Sequence, residues 1–276
     1  MLGAILGDII GSAYEFNPTN DYHFELFPPQ SGFTDDTVCT IAVADALLKG
    51  KDFGQSIHEW CRKYPYPIGG YGGRFRQWVM SDAPQPYRSF GNGSAMRVSP
   101  VAWLNQDEHE VLHNAEVSTA CTHNHPEGIR GAQAVAYAIY DCRRMFRGKQ
   151  QKGCGREVIL QGLHRALEYS GYDIHIRKED VMNRFDETCQ GTVPVALWII
   201  SESSDFEDAI RRAVSLGADA DTLGAIVGSI AEVIWGIPEW MKKKAMDYLT
   251  PEIKEVVTAF RVHVHGKFPE ADAGNV

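Results

Sequence analysis

Basic residues are absent from the first 48 positions of the sequence, since the first of them is Lys49. The same stretch contains seven carboxylates, which account for most of the net charge of −9 of the 276-residue chain. Because no positive region precedes the first apolar run and Asp8 interrupts it, we expect no secretory signal peptide. Such a charge run is often only a solvated surface, but it is also typical of a site for a multivalent cation.

Long apolar runs are missing as well, so we expect no membrane helix, which would need about 20 consecutive apolar residues. The six cysteines include no CxxC pair. This scattered spacing excludes a small disulfide framework and favours reduced thiols in a cytoplasmic protein. The acidic balance, with a pI near 5.6, predicts no nucleic-acid-binding surface, which would require a basic patch.

Long stretches of alternating apolar and polar residues are also absent, and apolar residues recur at helical spacing, as in Val38, Ile41 and Ala42. The pattern predicts an all-α fold. Without a long Ser/Gly linker, it also favours a single domain over residues 1–276. We expect the hydrophilic segment 147–155 to be a surface excursion. The predicted helices span residues 2–14, 36–49, 53–62, 94–104, 108–121, 127–146, 155–169, 191–201, 205–215, 222–235 and 252–265.

Two predicted helices carry glycines at intervals of four residues. Gly3, Gly7 and Gly11 lie in the first helix, and Gly224 and Gly228 lie in a later one. Glycines at this spacing share one helical face, where another backbone can approach closely. Since glycine weakens a helix by about 1 kcal/mol relative to alanine, we expect tight packing against these faces.

Clustered carboxylates precede two of the predicted helices, in Phe33–Thr37 (FTDDT) and Gly217–Thr222 (GADADT). Each cluster can be interpreted as an N-cap, because Asp and Thr oxygens accept hydrogen bonds from the first amides of a helix. One acceptor is enough for a cap, however, and each cluster offers two carboxylates with a hydroxyl. If the two clusters face each other, their oxygens suit a hard divalent cation such as Mg²⁺.

The segment Ser89–Arg97 (SFGNGSAMR) places small residues before a helix that is predicted to begin near Ser94. Exposed amides at such a position can bind a phosphate. The alternative is an ordinary glycine-containing turn with a serine cap. The segment lacks the spacing of a P-loop or of a dinucleotide fingerprint.

The segment Thr122–Gly128 (THNHPEG) contains a His-x-His pair, which could ligate zinc. No third ligand follows at a recognisable spacing, so hydrogen bonding to substrate or backbone is the favoured interpretation. Glu15 ends the first predicted helix. Beside bound cations its carboxylate could act as a general base or as a ligand, although alone it would count as a surface residue.

Taken in order, these motifs resemble the ADP-ribosylglycohydrolase family, which includes the dinitrogenase-reductase-activating glycohydrolases. The resemblance extends from residue 3 to about residue 240, and the ordered combination is specific although each motif alone is weak. The matching segments are Gly7–Glu15, Phe33–Thr37, Gly69–Phe75, Phe90–Arg97, Thr122–Gly131 and Gly217–Thr222.

The resemblance implies an orthogonal all-α fold with a cleft for two metal ions, usually Mg²⁺ and sometimes Mn²⁺. It also implies hydrolysis of the bond between the anomeric ribose carbon of ADP-ribose and an acceptor. The implied metal ligands are Thr34, Asp35, Asp36, Asp219, Asp221 and Thr222. Glu15, Asp35 and Asp36 would serve catalysis. The implied substrate-binding residues are Asn92, Gly93 and Ser94 at the diphosphate and adjoining ribose, and His125, Glu127 and Gly128 at the border of the pocket.

The expected partners are therefore an ADP-ribosylated protein or small molecule and the product ADP-ribose, and an ADP-ribosylated nucleobase stays open as a substrate. Two other hypotheses remain at this point. One is a regulatory module that binds ADP-ribose or a nucleotide without turnover. The other is a structural helical protein whose aspartates only cap helices.

Overall fold

A computed structural model describes residues 1–146 and 155–267. Apart from isolated bridges between Thr34 and Ile68 and between Gly91 and Thr188, these residues form helices, turns and loops. The predicted all-α fold is confirmed. The predicted surface excursion lies outside the described residues except for Gly155. The helices are α1 (Leu2–Gly11), α2 (Asp35–Lys49), α3 (Phe53–Lys63), α4 (Gly73–Met80), α5 (Gly93–Met96), α6 (Ser99–Leu104), α7 (Glu108–Ala120), α8 (Pro126–Phe146), α9 (Arg156–Ser170), α10 (Lys178–Val181), α11 (Cys189–Glu202), α12 (Phe206–Val214), α13 (Ala220–Trp235), α14 (Glu239–Tyr248) and α15 (Pro251–Lys267).

The predicted helix 94–104 is wrong as a single element, because α5 and α6 are separate helices. Pro100 explains the break, since it lacks the N–H that would continue the hydrogen bonds of α5. Three helices were not predicted. α4 follows a glycine-rich stretch, α10 buries no residue, and α14 buries only Met241 and Ala245, so none of them has a long apolar stripe.

The glycine faces of α1 and α13 pack against each other, and this contact is the tight packing that was predicted for each face. Gly224 faces Gly7 so closely that a Cβ atom on Gly224 would lie 2.6 Å from the Gly7 carbonyl oxygen. A Cβ atom on Gly3 would overlap the carbonyl oxygen of Gly228. Every residue of α1 is buried, so its contact with α13 forms the centre of the core and leaves no room for side chains between the two backbones.

The remaining helices surround this pair. α12 packs on α13, α14 packs on α1, and α2 packs on α1, α3, α6 and α15. The long helix α8 contacts α5, α6, α7, α9, α11 and α13. In the described part of the chain, none of the helices combines the length and the apolar composition needed to cross a bilayer. The arrangement brings the N-termini of α2 and α13 against the C-terminal half of α1, and Asn92, which precedes α5, bonds to Asp219 at the start of α13.

Candidate active site

The carboxylates of three helices meet where α1, α2 and α13 converge. Oxygens of Asp8, Asp36 and Asp221 lie within 4.8 Å of one another, and so do oxygens of Glu15, Asp219 and Asp221. The two groups share Asp221 and could hold metal ions. The two acidic segments that are nearly 190 positions apart in the sequence therefore face each other in the fold.

Asp8 organises the start of α2 from the neighbouring helix. Its carboxylate accepts hydrogen bonds from the amide and hydroxyl of Thr34, at 3.0 and 2.7 Å, and from the amide and hydroxyl of Thr37, at 3.1 and 2.5 Å. The side chain is fully buried. Asp8 therefore fixes the first turn of α2 and, with it, the adjacent residues Asp35 and Asp36.

The N-caps of α2 and α13 do not use the carboxylates of the two acidic segments as capping groups. At the start of α2, Thr34 is the cap, because its hydroxyl accepts a hydrogen bond of 3.1 Å from the amide of Asp36. At the start of α13, Asp219 occupies the cap position but its side chain makes no capping bond. Its carboxylate instead accepts a hydrogen bond of 2.7 Å from the side-chain amide of Asn92. These acidic groups are available for another purpose.

Within this cluster, three buried carboxylate oxygens have no hydrogen-bond donor among the described residues: Oε2 of Glu15, Oδ1 of Asp36 and Oδ1 of Asp221. A buried acceptor without a partner is costly. No ion pair within residues 1–146 and 155–267 neutralises any of them. Such a set of orphaned, uncompensated oxygens matches the ligand preference of a hard cation.

The electrostatics agree with this interpretation. Burial raises the pKa of Asp8 to about 7, and the Asp221 carboxylate adds to the effect. For the same two reasons the pKa of Glu15 rises to about 8. Burial, followed by the charge of Asp221, also raises the pKa values of Asp36 and Asp219 well above their ordinary range. The cluster thus resists full ionisation unless positive charge is brought to it.

Four carboxylates of the cluster, those of Glu15, Asp36, Asp219 and Asp221, line a cleft of about 460 Å³. Asp35 and Thr222 also line the cleft, and the Thr222 hydroxyl donates a hydrogen bond of 3.1 Å to Asp36. Of the predicted substrate-binding residues, Asn92 and Gly93 line it as well. The other main contributors to its walls are Phe16, Gly69–Phe75, Tyr87, Ser89, Arg97, His123, Phe185 and Glu187.

The other predicted substrate-binding residues lie outside the lining of the cleft. Ser94 is buried behind the loop and donates a hydrogen bond of 2.8 Å to the carbonyl oxygen of Gly128. His125 accepts a hydrogen bond of 3.1 Å from the amide of Glu127 through Nδ1. Glu127 forms an ion pair with Arg130. These residues fix the junction between α5 and the start of α8.

His123 lines the cleft in a defined protonation state. The Arg97 guanidinium donates a hydrogen bond of 2.8 Å to the Thr122 hydroxyl. This hydroxyl lies 2.7 Å from Nδ1 of His123. Donation from this hydroxyl to Nδ1 gives both groups a partner, and from this arrangement we infer that the ring proton resides on Nε2. Burial and then the charge of Arg97 hold the pKa of His123 well below 6.5. The ring is a neutral donor that faces Gly91 and Gly93.

Sequence comparisons give the family of this chain. The sequence profile of the ADP-ribosylglycohydrolase family matches residues 1–268. The chain belongs to the ADP-ribosylglycohydrolase family. A solved structure named "ADP-ribosylglycohydrolase-related protein complex" superposes with a TM-score of 0.71 at 23% identity and 95% coverage of both chains, which shows the shared fold.

Three proteins similar to this chain are named as ADP-ribosyl hydrolases. The chain is 24% identical to the ADP-ribosylarginine hydrolase Tri1 of Pseudomonas putida, over 89% of this chain and 73% of the relative. It is 23% identical to the ADP-ribosylhydrolase ARH3 of Mus musculus, over 87% and 83%. It is 24% identical to the ADP-ribosyl-[dinitrogen reductase] glycohydrolase of Rhodospirillum rubrum, over 94% and 92%.

Two residues of the candidate site were not predicted from the sequence: Asp8, which is buried in the acidic cluster, and His123, which lines the cleft. Asp8 had a signal, because a carboxylate inside an apolar run must be buried with partners if the run forms a core helix. His123 had a weaker signal. It is one half of the His-x-His pair, and only the turn before α8 determines that His123, and not His125, lines the cleft.

Proposed function

We propose that this protein is a hydrolase that uses two divalent cations, Mg²⁺ in the first place and Mn²⁺ as an alternative, to cleave ADP-ribose from a modified acceptor. The products would be free ADP-ribose and the unmodified acceptor. The observation that carries the proposal is the set of buried, unpartnered carboxylate oxygens on the floor of the cleft. The family membership supports the reaction type.

The donor set fits hard cations. We propose that Asp35, Asp36, Asp219, Asp221 and Thr222 supply the ligands, since each lines the cleft. Thr34 belongs to the same predicted set. Its hydroxyl already donates a hydrogen bond to Asp8, so it would bind a cation through a lone pair of the hydroxyl oxygen. When bound, the cations would orient the ribose hydroxyls and lower the pKa of a water molecule.

Glu15 is the best candidate for the proton acceptor in this reaction. Its Oε2 atom is buried and unpartnered in the cleft. Breaking a ribosyl bond places positive character on the sugar while a water molecule loses a proton. A carboxylate at this position can take that proton and also stabilise the charge on the ring. Asn92 supports the reaction by holding the Asp219 carboxylate in place.

The part of the cleft beside Asn92 suits the diphosphate and its adjoining ribose. We propose that Gly93 allows close approach of the substrate and that Nε2–H of His123 donates to its oxygens, with Asn92 beside them. Ser94 and Gly128 would act by bracing this loop through their hydrogen bond. His125 and Glu127 would border the pocket from the start of α8 and would contribute less to affinity.

The proposal is tested by incubating the purified protein with ADP-ribosylated arginine, serine and nucleobase substrates, with and without Mg²⁺. Release of free ADP-ribose that requires Mg²⁺ is expected for at least one linkage, and Asp36→Asn should lower its rate by about 10²–10³-fold. If every linkage stays intact in the presence of Mg²⁺, the proposed reaction is wrong. Tight ADP-ribose binding in calorimetry, combined with intact substrates, would instead identify a regulatory module.

A further inference from the structure

A second cavity of about 500 Å³ lies beside the cleft. The segment between α10 and α11 forms part of the wall between the two spaces, because its residues contribute alternately to each. Phe185 and Glu187 line the cleft, whereas Arg184, Asp186 and Thr188 line the second cavity. The two spaces are therefore separated by about one layer of chain.

Asp219 lines both the cleft and the second cavity, and no other residue of 1–146 and 155–267 does so. It is also a member of the acidic cluster, since one of its oxygens lies within 4.8 Å of oxygens of Glu15 and Asp221. The second cavity consequently adjoins a residue that we propose as a cation ligand.

The partition next to the Asp219 carboxylate is a single side-chain amide. Nδ2 of Asn92 donates a hydrogen bond of 2.7 Å to Oδ2 of Asp219 and another of 3.1 Å to the hydroxyl oxygen of Thr192. Asn92 lines the cleft, and Thr192 lines the second cavity. Because the two hydrogen bonds share one nitrogen atom, the Asp219 carboxylate lies no more than two hydrogen-bond lengths from the Thr192 hydroxyl.

The second cavity opens to solvent at its outer end. Arg184 and Gln190 line it and are exposed. Towards Asp219 the lining is buried and apolar, with Leu216, Ala218 and Leu223. The cavity thus leads from the surface to the acidic cluster.

The charges in the lining favour a cation that passes through the second cavity over one that stays there. Asp173 and Asp186 line it together with Asp219, whereas Arg184 is the one basic residue in this lining among the described residues. An excess of carboxylates raises the local concentration of cations. Neither Asp173 nor Asp186 belongs to a described group of three ligands that could hold an ion, so the lining attracts a cation without trapping it.

We propose that the second cavity is a separate entrance through which a hydrated divalent cation reaches and leaves Asp219 while ADP-ribose occupies the cleft, an inference that rests on the proposed function. A substrate bound over the acidic cluster would obstruct exchange of the cation through the cleft. The second cavity avoids this obstruction, because its opening is formed by other residues. Only the hydrogen bond between Asn92 and Thr192 has to open on this path.

The test measures release of Mn²⁺ into an excess of a fluorescent chelator by stopped flow, with and without saturating ADP-ribose. Ala218→Leu enlarges an apolar side chain in the second cavity directly before Asp219. With ADP-ribose bound, this variant should release Mn²⁺ about tenfold more slowly than wild type, because both entrances are then obstructed. Without ADP-ribose the cleft stays open, so the two rates should agree within about twofold.

The equilibrium affinity separates an obstructed entrance from a damaged site. An obstruction slows entry and exit equally, so the Kd for Mn²⁺ should be the same in Ala218→Leu and wild type, whereas a displaced Asp219 would change it. Val195→Phe should slow release in the same manner, because Val195 lines the second cavity from α11. Ala83→Leu makes the same substitution at an exposed alanine outside both linings, and it should release Mn²⁺ at the wild-type rate in both conditions.

The outcomes are distinguishable. If Ala218→Leu and Val195→Phe release Mn²⁺ at the wild-type rate with ADP-ribose bound, or are slowed equally with and without it, the separate entrance is wrong while the hydrolase function stands. If the protein binds no Mn²⁺, the cation-dependent function is wrong and the entrance falls with it. The expected release rates combined with intact substrates of every linkage would overturn the hydrolase function and leave the entrance in place.

Discussion

Gly7 and Gly224 bring the backbones of α1 and α13 into direct contact, and this contact determines the distance between the two halves of the acidic cluster. Asp8 follows Gly7, and Asp221 precedes Gly224 by three residues. Oxygens of these two aspartates lie within 4.8 Å of each other. A side chain at either glycine would have to push the helices apart and would separate the carboxylates.

Gly7→Ala should therefore destabilise the fold and weaken cation binding together. Forcing a methyl group into a packed backbone contact costs about 1–3 kcal/mol, and we expect this loss in urea unfolding followed by circular dichroism. Gly266→Ala is the matched control, because Gly266 also lies in a helix but has open space around its Cβ position. A Gly7→Ala protein as stable as wild type would contradict the packing argument.

Divalent cations should stabilise the protein more as the pH rises. The folded-state pKa values of Asp8, about 7, and Glu15, about 8, lie above their ordinary values of 3.8 and 4.5. Between the ordinary and the folded-state pKa values, the folded state binds more protons than the unfolded state. These two groups therefore lower the stability of the metal-free protein as the pH rises. Mg²⁺ requires the deprotonated carboxylates and reverses that loss. The Tm difference between samples with Mg²⁺ and with a chelator should increase from pH 6 to pH 8, and a difference independent of pH would refute this account.

In the presence of a chelator, Asp36→Asn and Asp8→Asn should change the thermal stability of the protein in opposite directions. Asp36 is held in a like-charged, buried cluster, so neutralising it should raise Tm at pH 8 while lowering activity by about 10²–10³-fold. Asp8 accepts four hydrogen bonds. An asparagine at this position would place its own N–H donors against at least one of these donor groups, which should lower the free energy of unfolding by about 2 kcal/mol. Thermal melts in chelator check both. A stabilising Asp8→Asn change would show that its hydrogen bonds do not hold α2.

His123→Ala should weaken binding of ADP-ribose, whereas His125→Ala should have a small effect. Losing a fixed donor to a charged oxygen costs about 1.5–3 kcal/mol, or roughly 10–100-fold in affinity. Since the pKa of His123 is held well below 6.5, its contribution should not change between pH 6 and pH 8. Calorimetric titration with ADP-ribose measures both variants, and a larger loss in His125→Ala would reverse the assignment.

Most helices could be predicted from the sequence because their apolar stripes are long. α2, α8 and α13 each bury a continuous face, and their predicted ends differ from the observed ends by no more than two residues. α14 was missed because it buries only two residues, so its pattern is indistinguishable from that of a polar loop. The break between α5 and α6 could have been inferred from Pro100.

The residue types of the candidate site were also visible in the sequence, as surplus carboxylates beside helix starts. What the sequence could not indicate is which acceptors are already satisfied. Thr34 caps α2, so the carboxylate of Asp36 is not needed as a capping group. The carboxylate of Asp219 accepts its hydrogen bond from the side chain of Asn92 and not from a backbone amide of α13. Both outcomes depend on contacts between elements distant in the chain.

The sequence by itself determined where helices with a long apolar face form, which faces of α1 and α13 could be closely packed, and where acidic groups accumulate, because these properties depend on neighbours within a few residues. Only the tertiary structure decided that Asp8 joins the cluster and that His123 lines the cleft. These relationships join residues separated by tens to hundreds of positions, and they arise from packing that no local pattern encodes.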